Sequence, residues 1–426
     1  MDKMDGFCYN KLLKRGICMT LKEISFIEFD EFSKKYESST FYQSSSYALI
    51  MGEKGYDYEY IGMFDDMNNL IAASLILLKK IKKNILYGYA PRGFLIDYLN
   101  ESEVKCFSNL LIDYYKNKNV AFIKTNPNLI IKELSKSKND YSDNKEASFI
   151  LDRNNFLRLK NNLYFESSLP HFNAIVDLDN FGYASMKKNA RNKVNKAIRK
   201  GLILEKGNRE DIPLIEKMMK KNKSYCDISL DDYYNVFDKS NSIDMFLVKI
   251  DYEEFLINAR ISYDKETEKN TYYNAKIVEN PTEDIINAKM NSDLVLLSYK
   301  NDILEGTKGL KEEKEDFIAA AVVVKYKDTI TIVESTYDKA YSRHNANYFL
   351  YYKIMEYYKN DYKYCDLNGM TGDTLKSNPY YGLNKFKLSF NPKFVEYIGE
   401  LDFIVDPEKY SYLKETNALA KEFNKN

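Results

Sequence analysis

Short apolar runs and amphipathic stretches alternate along the chain, and they follow the same order in each half. Each half contains two apolar runs, then an amphipathic stretch with helical spacing, then one further apolar run. The runs are 70–78, 84–90 and 121–124 in the first half, and 319–325, 329–334 and 364–367 in the second. Short apolar runs predict strands, so the order strand, strand, helix, strand occurs twice. This repeat predicts two duplicated α/β domains with mixed sheets.

Residues 252–316 differ from both halves, because they are polar, charged and compatible with helix. Asn280 and Pro281 interrupt this stretch, and a proline is tolerated in the first turn of a helix. Apolar residues in its second part have the seam spacing of a packed helix: Ile286, Met290, Leu294, Leu297 and Leu304. The pattern predicts an antiparallel helical hairpin, either a projecting arm of roughly 40 Å or an insertion that packs on its own domain.

Length and composition limit the classes of protein. A chain of 426 residues is too long for one core. No apolar run is long enough to span a bilayer, and the N-terminus lacks the apolar centre of a secretory signal, so residues 1–19 are predicted to be an extension. Five scattered cysteines indicate reduced thiols in a cytoplasm, and with only two histidines a metal site or a Ser-His-Asp triad is not expected.

The charge of the chain is balanced, with 63 basic and 63 acidic residues. A nucleic-acid partner would therefore need a local basic patch. The stretch 187–201 offers one, with apolar positions Ala190, Val194, Ala197 and Ile198 and a C-cap at Gly201. Its cations are Lys187, Lys188, Arg191, Lys193, Lys196, Arg199 and Lys200. They predict a surface for a polyanion such as tRNA or an anionic lipid; the alternative is a solvated helix face.

Three further segments contain candidate site residues. YAPRGFLID, at 89–97, follows a strand, and its Arg92 offers a planar fork for phosphate or carboxylate; the alternative is a structural turn in which Arg92 pairs with a surface acid. FYQSSSYALIMGEKGY, at 41–56, predicts a loop entering a helix capped by Ser44 or Ser45, with Lys54 as a phosphate ligand.

The third segment is GLNKFKLSF, at 382–390. An extended conformation would place Phe386 and Leu388 on one face and Lys385 and Lys387 on the other. A lysine in a dry pocket could stabilise an oxyanion, whereas an edge-strand lysine would only discourage aggregation.

Taken together, these motifs resemble one family, the Fem-type aminoacyltransferases (FemA, FemB, FemX and the MurM-like ligases). The resemblance rests on FYQSSSYA, YAPRGFLID, KNARNKVNKAIRKG, CDLNG and GLNKFKLSFNPKFVEYIGE in this order, and it covers residues 20–415. It implies two GNAT-like α/β domains with an inserted coiled-coil arm, as in the FemA and FemB branch. The implied domains are 20–162 with 395–426 packing back on it, then 163–251 with 317–394, and the arm at 252–316.

The family reaction is transfer of an amino acid from a charged tRNA to the peptide of a peptidoglycan precursor. By resemblance, Lys387 would stabilise the developing charge, Phe386 would shape the pocket, and Asp97 would contact the acceptor peptide. Tyr89, Arg92, Lys54 and Lys385 are expected to bind substrate, and Lys187, Lys188, Arg191, Lys196 and Arg199 to bind tRNA. The sequence departs from the family where a phosphate-binding lysine is expected, because Met51 stands there and Lys54 follows one turn later.

The resemblance implies no cofactor, and it makes aminoacyl-tRNA the co-substrate. The expected partners are lipid II or a UDP-linked muropeptide, with peripheral contact at the inner face of the plasma membrane, for a cytoplasmic monomer or homodimer. Three alternatives stay open: an acetyl-CoA-dependent GNAT enzyme, whose pyrophosphate turn is not found here; a non-catalytic tRNA- or partner-binding protein that uses the arm; and a Fem-like bacteriocin immunity factor. The residues do not indicate which amino acid is transferred.

Overall fold

The structure is a computed structural model that describes residues 19–134, 144–159, 162–165, 167–222 and 228–423. The predicted N-terminal extension, apart from Met19, lies outside these residues. Within the described part of the chain, no helix combines the length and the apolar character needed to cross a membrane.

The described residues form two mixed sheets and a set of helices. The strands are β1 (Thr20–Glu23), β2 (Asp57–Phe64), β3 (Leu70–Lys82), β4 (Ile85–Ala90), β5 (Val120–Thr125), β6 (Ile130–Glu133), β7 (Phe156–Arg158), β8 (Phe172–Asp177), β9 (Leu202–Gly207), β10 (Ile243–Ile250), β11 (Phe317–Tyr326), β12 (Thr329–Tyr337), β13 (Tyr364–Met370), β14 (Lys393–Tyr397) and β15 (Leu401–Ile404). The helices are α1 (Phe26–Lys35), α2 (Ser45–Glu53), α3 (Glu101–Lys116), α4 (Lys145–Asp152), α5 (Lys188–Arg199), α6 (Ile212–Lys221), α7 (Leu230–Phe237), α8 (Tyr252–Glu279), α9 (Glu283–Lys311), α10 (Ala346–Tyr358), α11 (Tyr381–Lys387), α12 (Pro407–Glu415) and α13 (Ala418–Phe423).

The two sheets share one topology. The first has the order β1-β2-β3-β4-β5-β15-β7, and the second, read in the matching direction, β9-β10-β11-β12-β13-β8-β14-β6. In both, the pairs before the crossover are antiparallel, and the two strands that a helix connects, β4 with β5 and β12 with β13, are parallel. The predicted fold class, α/β with two mixed-sheet domains, is confirmed.

Each sheet also contains a strand from the other half of the chain. β15 pairs with both β5 and β7 in the first sheet, whereas β6 pairs with β14 in the second. The predicted boundaries differ from this at two points, since β6 lies inside 20–162 and β14 extends past residue 394. A strand's own sequence shows its spacing but not its partner, so this exchange was not visible in the pattern.

An apolar core joins the two halves directly. Leu75 on the first sheet and Ile50 on α2 belong to the same buried cluster as Met218 on α6 and Met245 and Val322 on the second sheet. Burial of this shared apolar surface stabilises the arrangement of the halves, because the contact excludes water from both. Clefts between the halves are therefore held in a defined shape.

The segment 252–311 forms the predicted helical hairpin. Asp251 caps α8, Thr282 caps α9, and the Asn280–Pro281 break lies in the turn between them. The predicted packing seam, however, is wrong. Its residues, Ile286, Met290, Leu294, Leu297 and Leu304, are exposed, and Leu294 keeps 67% of its surface accessible.

The buried residues of α9 are small or polar, whereas those of α8 are mostly apolar: Gly309 lies against the Tyr252 ring and Gly306 against Leu256. The buried residues of α9 are Ser292, Asp302, Gly306 and Gly309. The Asn270 amide donates hydrogen bonds to the Ser292 hydroxyl at 3.2 Å and to the Asp293 carboxylate at 2.9 Å. Close approach of the backbones and these polar contacts replace the apolar seam that the spacing indicated.

The segment GLNKFKLSF is helical and not extended, which corrects the prediction. α11 ends at Lys387, and a 3-10 turn, Leu388–Phe390, continues it. Residues two apart lie on the same face of a strand but nearly opposite each other on a helix. Lys385 is consequently exposed, whereas Lys387 is buried.

Candidate functional site

Two cavities share Tyr42 and Asn368 as wall residues. The first, which we call the aspartate cavity, has a volume of about 370 Å³, and Arg92, Asp366 and Tyr397 are among its walls. The second, which we call the tyrosine cavity, has a volume of about 510 Å³. Its walls include Tyr47, Tyr56, Tyr87, Tyr89, Met51, Lys54 and Lys79. The two shared side chains show that the cavities adjoin.

Asp366 lies where β13 stops pairing regularly with β8, and this irregularity turns its carboxylate toward the aspartate cavity. The amide side chain of Asn173 donates to both carboxylate oxygens at 3.1 and 2.9 Å, and the backbone N–H of Asn368 donates to one of them at 2.7 Å. Burial nevertheless raises the pKa of Asp366, although these hydrogen bonds and the cations Arg92 and Lys387 oppose the shift. A carboxylate with a raised pKa is suited to accepting a proton.

Arg92 is buried in the turn after β4, with a positive φ of 50°. Its backbone N–H donates to Asn126 at 3.0 Å, and its guanidinium donates to the carbonyl of Pro170 at 2.7 Å. The guanidinium also lies 4.1 Å from the centre of the Tyr397 ring. Arg92 is therefore held rigidly at the cavity wall, and the alternative in which it pairs with a surface acid does not apply.

Lys387 is buried at the end of α11, with 6% of its surface exposed. Its ammonium donates to the carbonyl of Gly369 at 2.6 Å. Burial lowers the pKa of Lys387 to about 8, while Asp366 acts in the opposite direction. The side chain is therefore mostly protonated at neutral pH, and its positive charge lies next to the Asp366 strand end, although Lys387 does not line either cavity itself.

The remaining candidate residues of GLNKFKLSF and YAPRGFLID lie outside the two cavities. Phe386 packs against Tyr348 and Tyr351 of α10, with ring centres 4.8 Å apart in both cases, so it anchors α11 and does not line either of the two cavities. Lys385 is exposed on the opposite side of α11. Asp97 is exposed before α3, where its carboxylate accepts from the Leu99 N–H at 3.0 Å, and it lies outside both cavity walls.

The tyrosine cavity brings together residues from two predicted motifs. Tyr89 from the YAPRG segment and Lys54 from the end of α2 line it, together with Met51. Ser44 caps α2, as predicted, by accepting from the Tyr47 N–H at 3.2 Å. Lys79 and Lys124 also line this cavity, but Lys79 pairs with Glu422 at 3.5 Å and Lys124 with Asp402 at 3.2 Å. Glu334 and Glu422 are wall residues too, so the walls combine phenol rings with charges of both signs.

Some of the cations of the basic helix α5 form hydrogen bonds within the protein. Arg191 donates to the backbone carbonyls that precede the helix, and Lys193 donates to the Tyr348 hydroxyl at 3.0 Å. Arg199 donates to Tyr299 of the arm at 2.9 Å, and buried Lys200 bonds to Asp302 at 2.8 Å. Lys187 and Lys188 are exposed, and Lys196 and Arg199 line a cleft between α5 and the arm.

Two details of this helix test the sequence prediction. Ala190, Val194 and Ala197 are buried as predicted, but Ile198 is exposed. Gly201 ends the helix with φ of +67°, which confirms it as the capping glycine.

Three residues of the site were not selected from the sequence: Tyr42, Asp366 and Asn368. All three lie in motifs on which the resemblance rests, Tyr42 in FYQSSSYA and Asp366 and Asn368 in CDLNG. The motifs themselves do not show that these two distant segments meet at one site. Within the described residues, no three His, Cys, Asp or Glu side chains converge as metal ligands would.

Comparison with known proteins agrees with this architecture. The family model described as the FemAB family matches residues 24–417. The chain is 24% identical to aminoacyltransferase FemA of Staphylococcus epidermidis, over 92% of this chain and 98% of that one. It is 20% identical to the lipid II:glycine glycyltransferase of Staphylococcus aureus, over 91% and 93% of the two chains. The crystal structure of FemX superposes with a TM-score of 0.70 at 18% identity, covering 92% of this chain and 99% of that one.

The twin mixed sheets match the fold of FemX, and the two relatives are an aminoacyltransferase and a glycyltransferase. The chain belongs to the FemAB family, and it is an aminoacyltransferase. The family assignment predicted from the motifs is confirmed, and the coverage extends over nearly the whole of both relatives.

Proposed function

We propose that this enzyme transfers an amino acid from a charged tRNA to an amine on the peptide of a lipid II-type peptidoglycan precursor. The acceptor amine belongs to the peptide stem or to a growing bridge. The observation that carries this proposal is the meeting of the two cavities at Tyr42 and Asn368, beside Asp366. A reaction between two large substrates needs two binding spaces that adjoin near the reacting atoms, and two adjoining cavities support this.

The proposed reaction is aminolysis of an ester. The amine nitrogen attacks the ester carbon, a C–N bond forms, and the bond from that carbon to the ribose oxygen breaks. One proton leaves the nitrogen and one is gained by the ribose oxygen. Asp366 is suited to receive the first proton and to return it, because burial raises its pKa and its carboxylate faces the aspartate cavity.

Positive charge near Asp366 supports the negative oxygen that develops on the ester. Arg92 lines the aspartate cavity and is fixed by Pro170 and Tyr397. Lys387 adds a second cation behind the strand end, and its low exposure strengthens the field that it exerts. We propose that Lys387 acts over this short distance, with Arg92 nearer to the reacting atoms.

The tyrosine cavity is the better fit for the precursor. Lys54 and Lys79 can bind the phosphate of a lipid-linked or nucleotide-linked precursor, and the tyrosine rings offer faces for its sugar and peptide. The aminoacyl ester would then enter the aspartate cavity. A precursor of lipid II type would bring the enzyme to the inner face of the plasma membrane as a peripheral protein.

The tRNA body would bind along α5 and not along the arm. Support for this proposal comes from the exposed Lys187 and Lys188 at the start of α5 and from Lys196, which lines the cleft beside the arm. The helices of the arm contain 8 basic and 11 acidic residues, so the arm repels a polyanion overall. Changing these three lysines to serine should weaken tRNA binding and flatten its dependence on salt, whereas changing the arm lysines Lys265 and Lys269 should leave it unaltered.

A transfer assay tests the function itself. The purified enzyme is incubated with a panel of charged tRNAs and with either a lipid-linked or a nucleotide-linked precursor, and mass spectrometry follows the precursor. We expect its mass to increase by one amino-acid residue with at least one charged tRNA. Asp366→Asn should lower the rate, and Lys385→Ala, an exposed neighbour on α11, serves as the matched control. Absence of transfer from every charged tRNA to both precursors would refute the proposal.

A further inference from the structure

An apolar stripe runs along the outside of the arm. Its residues, which we call the α9 stripe, are Ile286, Met290, Leu294, Leu297 and Leu304. Four of the five keep between 57% and 67% of their surface accessible, and Ile286 keeps 41%. Spacings of three, four and seven place all five on one face of the helix. The other face of α9 packs on α8, so the stripe points away from the hairpin interface.

The charges beside the stripe change sign along the helix. Glu283 and Asp293 lie beside its N-terminal half, with Asp293 also paired to Lys289 at 2.7 Å. Lys300, Lys308 and Lys311 lie beside its C-terminal half. The acids of that half face the body of the protein instead, since Asp302 bonds to Lys200 and Glu305 to Arg343. Lys308 is paired with Glu312, which follows the helix, at 4.0 Å. Within α9 itself, the exposed face has acids toward its N-terminal end and lysines toward its C-terminal end.

We propose that the α9 stripe is the interface of a homodimer in which two arms pair antiparallel about a twofold axis at Leu297. In that register, residues equally distant from Leu297 face each other. Met290 lies seven residues before it and meets the partner's Leu304, seven residues after it. Glu283 and the partner's Lys311 are each fourteen residues away and form an ion pair. Seven and fourteen residues are close to two and four helical turns, so these contacts fall on the same face. Leu294 and Ile286 face the apolar stems of the partner's Lys300 and the partner's Lys308.

The size of the stripe is adequate for such an interface. From Ile286 to Leu304 it extends about 27 Å at 1.5 Å per residue. Its five side chains expose on the order of 500 Å², which is as large as the largest apolar patches of ordinary monomers. With the stems of the flanking lysines and acids, the buried surface approaches the roughly 800 Å² per partner of a standard stable interface.

The charge pattern favours a second copy over the other occupants of an apolar face. A nucleic acid or an anionic membrane would need a basic face, and the two helices of the arm have more acidic than basic residues. An antiparallel copy places the acidic end of one helix against the basic end of the other at both ends. Complementary charge of this kind fixes orientation and register.

Sedimentation velocity of the full chain tests the interface. The wild-type protein should sediment with twice the mass of one chain at micromolar concentration, and Leu297→Glu should sediment as a single chain. Met67→Glu changes a side chain that is 80% exposed in the turn between β2 and β3, so this control should remain dimeric. Circular dichroism confirms that each variant is folded. A monomeric wild-type protein, or a Leu297→Glu variant that stays dimeric, would overturn the proposal.

Two further sets of variants, one of charge reversals and one of cysteines, test the register independently of the result for Leu297→Glu. Glu283→Lys and Lys311→Glu should each weaken the dimer severalfold, and the double variant should restore it, because the pair is recreated with exchanged signs. Leu297→Cys should form a disulfide with its own copy under mild oxidation, beyond the background of the unaltered chain. Met290→Cys should crosslink only when mixed with Leu304→Cys. Crosslinking of Met290→Cys to itself would show a different register and reject the axis at Leu297.

Discussion

Replacing Lys387 by methionine should stabilise the fold at neutral pH and lower the rate of transfer. The ammonium is buried, and its pKa falls to about 8 from an ordinary value of 10.5. A depression of about 2.5 units corresponds to a cost of about 3 kcal/mol for keeping the group charged inside the folded protein. Methionine removes this cost and fills a similar volume with an apolar chain.

The gain is reduced by the loss of one hydrogen bond. The Gly369 carbonyl, which accepts from Lys387 at 2.6 Å, would lose its donor, and an unsatisfied buried group costs about 1–3 kcal/mol. The expected net effect at neutral pH is a stabilisation of about 1 kcal/mol. A charge that is retained at this cost in stability is consistent with a role in function.

The dependence on pH gives the sharper measurement. Between pH values of about 8 and 10.5, the unfolded lysine binds a proton that the folded one has lost, so this group makes the wild-type protein more stable as the pH rises. The advantage of Lys387→Met should therefore be largest below pH 8 and decline steadily above it. Urea unfolding at about pH 7 and about pH 9.5 measures the decline, which should be about 2 kcal/mol.

Lys385→Met provides the matched control, because Lys385 is exposed on the same helix. Its effect on the free energy of unfolding should be small and the same at both pH values. If Lys387→Met instead has the same effect on stability at both pH values, the ammonium does not lie in a desolvated site. The assignment of Lys387 as a charge held near the reaction would then fail.

Three other substitutions test the proton acceptor and the backbone. Asp366→Asn removes the proton acceptor and should lower the transfer rate about 100-fold; in the wild-type enzyme, activity should fall as the pH drops through the raised pKa of Asp366, and this acidic limb should disappear in the variant. Gly201→Ala should destabilise the fold by about 2 kcal/mol or more in thermal unfolding, because φ is +67° and a Cβ would lie 2.3 Å from the Asp251 carbonyl oxygen. Gly182→Ala, which has open space around it, should change stability by no more than about 0.5 kcal/mol.

The sequence was informative wherever a local pattern determines a local structure. The strands around 70–90 and 319–334 and the hairpin with its break at Pro281 follow from periodicity and turn chemistry. Periodicity failed for GLNKFKLSF because nine residues of alternating character fit a short helix as well as a strand. There Phe386 and Phe390 pack together with ring centres 5.3 Å apart, at helical spacing.

The arm illustrates a different limit of pattern reading. The stripe from Ile286 to Leu304 has the spacing of an interface. The sequence-based prediction took its partner to be the other helix of the hairpin, α8. The structure places Ser292 and Gly306 at that contact instead. Periodicity identifies an apolar face of a helix, but it does not identify the surface that packs against that face. The same reasoning explains why Asp366 was missed, since its neighbours Arg92 and Asn173 come from distant parts of the chain.

The exchange of strands between the sheets has a consequence for how the enzyme acquires its shape. β15 stands between β5 and β7, although nearly the whole of the second half is synthesised before it appears. Until then, β5 presents an open edge that could pair with another nascent chain. The first sheet is therefore complete only after β15 has been synthesised. Until then, chaperones or temporary contacts within the chain must cover the open edge of β5.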